Sequence, residues 1–176
     1  ISTNLSNLRL LLCFLNFSYR EFYEEFISKY DKTKPQKHLE YFCIHLVGEC
    51  NLKCKGCDHF APLASGEYLT IEGFEKDFER LSELTNGRVE KIGLMGGEPL
   101  LHPYLKEFFP IARKYFPNSI IQLVTNGILL NNQNEEFWQS CRKNSIVVMI
   151  TKYPLKLDYE KMEKTAKEYG VNLAYY

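Results

Sequence analysis

The sequence predicts an α/β fold in which a parallel sheet of about five strands is joined by helices, arranged either as a barrel or as a doubly wound sheet. Two observations predict it. Short apolar or β-branched runs alternate with longer segments whose apolar residues recur at helical spacing. Polar and glycine-containing motifs directly follow the predicted strands, at the end where such folds carry their chemistry.

The predicted elements follow one another in order along the chain. Strands are predicted where apolar or β-branched residues are continuous, at Phe42–Val47, Lys91–Met95, Ile120–Thr125, Ile146–Ile150 and Val171–Tyr175. Helices are predicted between them, at Ile71–Thr85, Leu105–Tyr115, Phe137–Cys141 and Met162–Tyr169. Each helix connects two strands, as the crossovers of a parallel sheet require.

The first 38 residues are predicted to form a separate region. Apolar residues recur at helical intervals from Leu5 to about Tyr30, and the polar run Asp31–Lys37 contains a proline that ends any helix before it. We assign residues 1–38 to an N-terminal helical extension and linker, and residues 39–176 to the core domain. The chain opens with Ile1 and stops within the fifth strand, so we expect a piece of a longer protein whose core is incomplete at its C-terminus.

Composition narrows the function classes. Lys plus Arg and Asp plus Glu number 22 each, so there is no global positive field with which to bind nucleic acid. The longest apolar stretch, Leu10–Phe17, is far shorter than the roughly 20 residues of a membrane span. Three of the six cysteines lie too close together to staple a fold, which favours a reducing cytoplasm. We expect a cytoplasmic protein that acts on a small molecule, a carbohydrate or a peptide.

Three clustered cysteines are the most informative feature. Cys50, Cys54 and Cys57 have the spacing C-x3-C-x2-C, and thiolates are soft ligands suited to iron–sulfur clusters. Clusters are usually held by four thiolates, so a set of three leaves one iron of a 4Fe–4S cluster open to bind a substrate. The alternative is a structural zinc site in which His59 is the fourth ligand.

Further motifs follow the next three strands. Gly96-Gly97-Glu98-Pro99 follows the second, Thr125-Asn126-Gly127 the third and Thr151-Lys152-Tyr153-Pro154 the fourth. Because the carboxyl ends of parallel strands lie at one edge of the sheet, these motifs should meet the cysteines at a single mouth. Taken alone, the third motif also suits a simple turn, and the fourth suits an ordinary return of the chain to solvent.

The cysteine motif after a first strand, followed by Gly-Gly-Glu-Pro after the second, resembles the radical S-adenosylmethionine (radical SAM) superfamily. The resemblance runs from about Phe42 to Tyr176 and implies a partial (β/α) TIM-like barrel. It also implies that Cys50, Cys54 and Cys57 hold a 4Fe–4S cluster whose fourth iron is chelated by S-adenosylmethionine. In that family the cluster donates an electron to the sulfonium, and a 5'-deoxyadenosyl radical then takes a hydrogen atom from the substrate.

The resemblance implies cofactor-binding roles for the other motifs. The glycines would let the backbone approach S-adenosylmethionine, the glutamate or its neighbouring carbonyls would accept from the ammonium group, and the proline would stiffen the turn. The cofactor-binding candidates are Gly96, Gly97, Glu98, Pro99, Asn126 and Thr151. Gly56 departs from the family, which often has an aromatic residue there near adenine. His59 and Phe60 are the candidates to replace it.

We therefore predict a radical SAM enzyme whose reaction the sequence leaves open. An external one-electron donor of the flavodoxin or ferredoxin type is implied by family analogy. Peptide modification, carbohydrate modification and the activation of a glycyl-radical enzyme all remain open. The alternative of a different class is a non-catalytic module that retains an iron–sulfur or zinc site on the same fold.

Overall fold

A computed structural model describes residues 38–57, 59–64 and 66–176, which contain a five-stranded parallel sheet and its connecting helices. In chain order the elements are β1 (Leu39–Val47), α1 (Ile71–Thr85), β2 (Val89–Gly96), α2 (Leu105–Tyr115), β3 (Ile120–Thr125), α3 (Glu135–Lys143), β4 (Ile146–Ile150), α4 (Tyr159–Tyr169) and β5 (Leu173–Tyr175). The predicted helical extension and its linker lie outside the described residues, so the boundary near residue 38 stays a prediction. No helix in the described part of the chain is long and apolar enough to cross a membrane.

Every predicted core strand and helix is present, and the differences lie at the ends. β1 begins three residues before its prediction, and α3 begins at Glu135 because the side chain of Asn134 caps it by accepting from the N–H of Phe137. β5 begins later than predicted. Gly170 ends α4 in the left-handed conformation, and the N–H of Val171 still donates to the last turn of that helix.

The strand order decides between the two predicted arrangements. The strands lie in the order β1-β2-β3-β4-β5, and every neighbouring pair is parallel. Since right-handed crossovers between strands in sequential order place all helices on one side of the sheet, this is the arrangement of a barrel and not of a doubly wound sheet, which reverses direction. The prediction of a partial barrel is confirmed.

The two faces of the sheet differ in character. One face carries apolar side chains that are buried against the helices, such as Ile92, Leu94 and Leu123. We call the other the open face, because its residues alternate with those that face the helices. On the four longer strands the open face includes Tyr41, Cys43, Gly93, Met95, Gln122, Val124, Val147 and Met149.

A cluster of phenylalanines joins α1 to the adjacent helix. Phe74 stacks on Phe78 with ring centroids 4.0 Å apart, and its other neighbour is the edge of Phe108 on α2 at 4.8 Å. Phe78 meets Phe116 edge-on at 5.5 Å. All four side chains are fully buried. These contacts hold α1 and α2, the helices that follow β1 and β2, against each other.

Arg113 joins three chain segments at the opposite end of the sheet. It lies near the end of α2, and its guanidinium donates hydrogen bonds of 2.9–3.3 Å to five backbone carbonyls. Three of the acceptors follow α2 and two follow α3; they are Phe116, Pro117, Ser119, Asn144 and Ser145. One planar fork therefore holds the entrances to β3 and β4 together.

We expect Arg113→Lys to lower the free energy of unfolding by about 2–3 kcal/mol, because an ammonium group has three donors and cannot span both segments. Urea denaturation measures this loss. Arg80→Lys is the matched control, since Arg80 is exposed on α1 and, among the described residues, pairs with Glu83 alone; its cost should be below about 0.5 kcal/mol. Equal costs for the two variants would contradict the role given to Arg113.

Candidate functional site

The cysteine loop, residues 48–67, is closed at its base by pairing with β1. The N–H of Gly48 donates to the carbonyl of Glu67 at 2.8 Å, and the N–H of Leu69 donates to the carbonyl of Leu46 at 2.9 Å. These hydrogen bonds bring the chain back to the strand end from which it left. These two hydrogen bonds therefore hold the base of the loop at the carboxyl end of the sheet.

The glycine motif after β2 packs directly on the end of β1. The N–H of Gly97 donates to the carbonyl of Val47 at 2.7 Å, and that of Glu98 to the carbonyl of Glu49 at 2.8 Å. Gly96 has φ 146°, which favours glycine. A Cβ on Gly96 would collide with the backbone of Val47, and one on Gly97 with the backbone of Glu49. Both glycines are thus needed for the close approach of the two loops.

Glu98 joins the second loop to the third from a fully buried position. Its carboxylate accepts from the N–H of Leu100 at 3.0 Å, the hydroxyl of Thr125 at 2.6 Å and the N–H of Asn126 at 2.9 Å. Burial raises the pKa of the Glu98 carboxyl above its ordinary value, and these hydrogen bonds act in the opposite direction. Pro99, also buried, begins a short 3-10 helix. Both side chains lie behind the site.

Asn126 connects the third loop to the cysteine loop. Its side-chain oxygen accepts from the N–H of Ile128 at 3.0 Å, which fixes the orientation of the amide. The amide nitrogen donates to the side-chain oxygen of Asn51 at 2.7 Å and lies 3.9 Å from the sulfur of Cys50. That sulfur also accepts from the N–H of Leu52 at 3.4 Å. Two N–H groups thus point at the first cysteine of the motif.

The fourth loop is attached to the third by one backbone hydrogen bond. The N–H of Thr151 donates to the carbonyl of Thr125 at 2.9 Å. The next residue, Lys152, turns away, and its ammonium lies 3.9 Å from the ring centroid of Tyr175 and 5.1 Å from that of Tyr159. Of the predicted Thr-Lys pair, Thr151 is the member that faces the site.

A cavity of about 380 Å³ lies where the loops meet, within the range of small-molecule sites. Seven of the nine predicted site residues line it: Cys50, Cys54, Cys57, Gly96, Gly97, Asn126 and Thr151. The remaining two, Glu98 and Pro99, do not. Tyr153, from the motif predicted after the fourth strand, also lines it. Among the lining residues that sequence reasoning missed are Tyr41, Met95, Val124 and Tyr176. Met95 and Val124 were detectable, because each lies just before a predicted motif on the face opposite the helices.

The thiol groups of all three motif cysteines lie beside the cavity. Cys50, Cys54 and Cys57 are half-buried, and burial is the main reason that the pKa of Cys50 is raised, with the nearby Glu98 and the other two thiolates adding to it. Among the described residues, no three His, Cys, Asp or Glu side chains converge on a point that could hold one metal ion.

The position that departs from the predicted family pattern is open. A Cβ on Gly56 would meet no atom within 4 Å, so a larger side chain has room beside the cavity. Of the two candidates to replace an aromatic residue there, His59 lines the cavity and its ring lies edge-on to that of His45 at 4.6 Å. Phe60 is not among the lining residues and is 68% exposed.

Comparison with known proteins identifies the family to which these features belong. The family model for the radical SAM superfamily matches residues 44–151. A GTP 3',8-cyclase from Nautilia profundicola is 31% identical over 97 residues, which is 55% of this chain and 30% of that protein. The enzyme of the same name from Chlorobaculum tepidum is 32% identical over 96 residues, 54% of this chain and 28% of that protein. The matched part of the chain thus spans less than a third of these relatives.

Solved structures share the fold at low sequence identity. BtrN in complex with AdoMet and 2-DOIA has a TM-score of 0.57 at 19% identity, covering 80% of this chain and 58% of that one. The structure of anSMEcpe with bound AdoMet has a TM-score of 0.59 at 23% identity, covering 78% of this chain and 42% of that one. Streptococcus suis SuiB bound to S-adenosylmethionine has a TM-score of 0.61 at 16% identity, covering 86% of this chain and 35% of that one. The likeness establishes the architecture of the described sheet.

We expect Gly97→Ala to lower the free energy of unfolding by about 1–3 kcal/mol, because its methyl group would overlap the backbone of Glu49. Gly56→Ala is the matched control: the same methyl group there meets nothing, so stability should change by less than about 1 kcal/mol. Urea denaturation of both variants checks the pair. Similar losses at the two glycines would show that loop contact is not the reason for Gly97.

We expect Glu98→Gln to lower the free energy of unfolding by about 1–3 kcal/mol. Whichever way the new amide is turned, its NH2 group faces the N–H of Leu100 or of Asn126, and one backbone donor loses its acceptor. Chemical denaturation under anaerobic conditions is the measurement. Glu168→Gln, on the exposed side of α4, should leave the midpoint unchanged. A stable Glu98→Gln variant would mean that the second carboxylate oxygen at position 98 is not needed as an acceptor to hold the loops.

Proposed function

The chain belongs to the radical SAM superfamily, and from this premise we propose that Cys50, Cys54 and Cys57 hold a 4Fe–4S cluster with which it cleaves S-adenosylmethionine reductively. Members of the family use both cofactors. The observation that carries the proposal is the meeting of all three thiols with the loops after β2, β3 and β4 at one cavity. The substrate that then loses a hydrogen atom is not identified.

Different residues of the described chain would have different roles in such a site. The three thiols would bind three irons and leave the fourth open. When bound, the cluster supplies the electron for cleavage of the sulfonium. The backbone N–H of Leu52 and the side-chain amide of Asn126 point at the sulfur of Cys50. Hydrogen bonds to cluster sulfurs stabilise negative charge, and so these two groups would favour the reduced state.

The ammonium group of S-adenosylmethionine would meet backbone carbonyls rather than a carboxylate. Glu98 is fully buried, already accepts three hydrogen bonds and does not line the cavity. Gly96 and Gly97 do line it. We therefore assign the ammonium to the carbonyls of this segment, and we assign to Glu98 the task of holding Asn126 in place. Thr151, on the neighbouring strand end, is positioned for a further polar contact with the cofactor.

The family implies a reductant and a substrate. We infer a one-electron donor of the flavodoxin or ferredoxin type and a cytoplasmic setting, in which such donors and free thiols are available. A small molecule, a carbohydrate or a peptide is the expected substrate, and nucleic acid is not, since acidic and basic residues balance at 22 each. The relatives named GTP 3',8-cyclase are matched over about a third of their length or less, so their reaction is not carried over.

A non-catalytic module is the alternative that a specific observation supports. Gly56 leaves open the side of the cavity where the family often places an aromatic residue, and a Cβ there would touch nothing. A domain that bound the cluster yet cleaved no S-adenosylmethionine would have this geometry as well. Only turnover separates the two functions.

We expect the anaerobically reconstituted protein to be brown, to contain iron and acid-labile sulfide, and to form 5'-deoxyadenosine from S-adenosylmethionine and dithionite. Alanine at any one of Cys50, Cys54 or Cys57 should reduce 5'-deoxyadenosine to background and lower the iron content. Cys43→Ala is the matched control, because Cys43 is exposed on β1 and lies outside the cavity. It should keep both the colour and the activity.

Two results would contradict the proposal in different ways. Colourless protein that binds zinc through the same cysteines would replace the cluster with a structural ion. A wild-type protein with a full complement of iron and sulfide that forms no 5'-deoxyadenosine would be a binding module. Mass spectrometry of the nucleoside product and metal analysis of the same sample distinguish the two.

A further inference from the structure

A buried glutamine on the open face has a side chain that forms no hydrogen bond within the described part of the chain. Gln122 of β3 is 8% exposed, and its carboxamide makes no hydrogen bond to any described residue. Among the described residues, no wholly buried side-chain nitrogen or oxygen lacks a partner. The carboxamide atoms of Gln122 must therefore reach accessible space. Buried amides are ordinarily satisfied, so an amide that the described residues leave unpaired has hydrogen-bonding groups free for a ligand.

The position of Gln122 on the sheet places it below the cavity. Val124, two residues further along β3, lines the cavity, and residues two apart on a strand share a face. Gln122 lies in register with Gly93 on β2 and with Val147 on β4. Because Gly93 has no side chain, the glutamine has free space on one side.

A tyrosine hydroxyl occupies part of that space. A Cβ on Gly93 would meet the hydroxyl and ring of Tyr41, so this phenol lies over Gly93, beside the glutamine. Tyr41 lines the cavity, is 45% exposed, and its hydroxyl makes no hydrogen bond to a described residue. The Tyr41 hydroxyl thus lies over β2, and the adjacent strand β3, which carries Gln122, is about 4.8 Å away. A single ligand group can therefore contact both Tyr41 and Gln122.

No charged residue lies beside Gln122 or above it on the open face of β2, β3 and β4. Lys91, which is exposed and in register with Tyr41, lies one row below on β2. The open-face positions of β2, β3 and β4 from this row to the carboxyl end of the strands are all uncharged: Gly93, Met95, Gln122, Val124, Val147 and Met149. A buried phosphate or carboxylate would find no counter-charge among them and would have to shed its hydration. Thioether and aliphatic groups instead suit the carbon skeleton of a neutral ligand.

We propose that Gln122, assisted by Tyr41, determines specificity by binding a neutral substrate group that both donates and accepts hydrogen bonds. The carboxamide offers two donors and an acceptor, and the phenol offers one of each. An amide or a hydroxyl group matches that pair. This inference rests on the proposed function, since the bound group belongs to the molecule that loses a hydrogen atom.

The test measures binding of small probes to the reconstituted protein with S-adenosylmethionine present, by saturation-transfer NMR. Two matched pairs of probes differ in charge: N-acetylglycinamide with N-acetylglycine, and methyl glucoside with glucose 6-phosphate. We expect the wild type to bind at least one neutral probe more tightly than its charged partner by roughly fivefold or more. Whether the amide or the glucoside binds distinguishes a peptide-like from a sugar-like substrate.

Gln122→Leu should weaken the binding of the preferred neutral probe by roughly fivefold to tenfold, the loss of one or two hydrogen bonds. Tyr41→Phe should weaken it by about twofold to fivefold. Gln139→Leu is the matched control, because Gln139 is exposed on α3; it should bind the probe as the wild type does. The inference is overturned if charged partners bind as well, if neither neutral probe binds saturably, or if Gln122→Leu retains wild-type affinity.

Formation of 5'-deoxyadenosine in the same samples separates the two levels of the proposal. Gln122→Leu should retain the iron content and the uncoupled cleavage of S-adenosylmethionine, which also shows that it folds. If wild type and variant both form the nucleoside while probe affinity does not depend on residue 122, only the specificity assignment fails. If the wild type forms none, the proposed function fails, whatever the probes show.

Discussion

The site depends on a line of hydrogen bonds that crosses the ends of four neighbouring strands. Gly97 and Glu98 donate to the end of β1, the Glu98 carboxylate accepts from the third loop, and Thr151 donates to Thr125 of β3. Loops otherwise vary in position because few contacts restrain them. Here each loop is fixed by the backbone of its neighbour, so the position of the cysteine loop follows from the sheet itself.

Glu98 is the costly member of this line. A carboxylate that is fully buried loses its hydration, and the structure compensates with three donors at 2.6–3.0 Å. Two of those donors are backbone N–H groups, which cannot move without moving the loop. The hydrogen bonds that compensate for the lost hydration therefore also fix the position of Asn126. That position in turn sets the amide beside Cys50.

Much of the fold was predictable because the core is periodic. The bounds of α1, β3 and β4 agree with the sequence pattern to the residue, since each ends at a clear change from apolar to polar or turn-forming residues. The predicted site loops were placed correctly because parallel strands present all their carboxyl ends at one edge. Local pattern could not show that Glu98 points away from the cavity, because the direction of a side chain in a loop depends on contacts with distant segments.

The same limit explains why the open face was missed. A strand in a parallel sheet is apolar on both sides, so alternation does not tell which side faces helices and which faces the cavity. Only the register shows that Gly93 and Gln122 are neighbours. The helix-facing side chains fill the core and the loop residues hold one another, whereas the carboxamide of Gln122 makes no hydrogen bond within the described chain. A residue that the fold does not need for a hydrogen bond can change without loosening the loops, as the specificity role proposed for Gln122 requires.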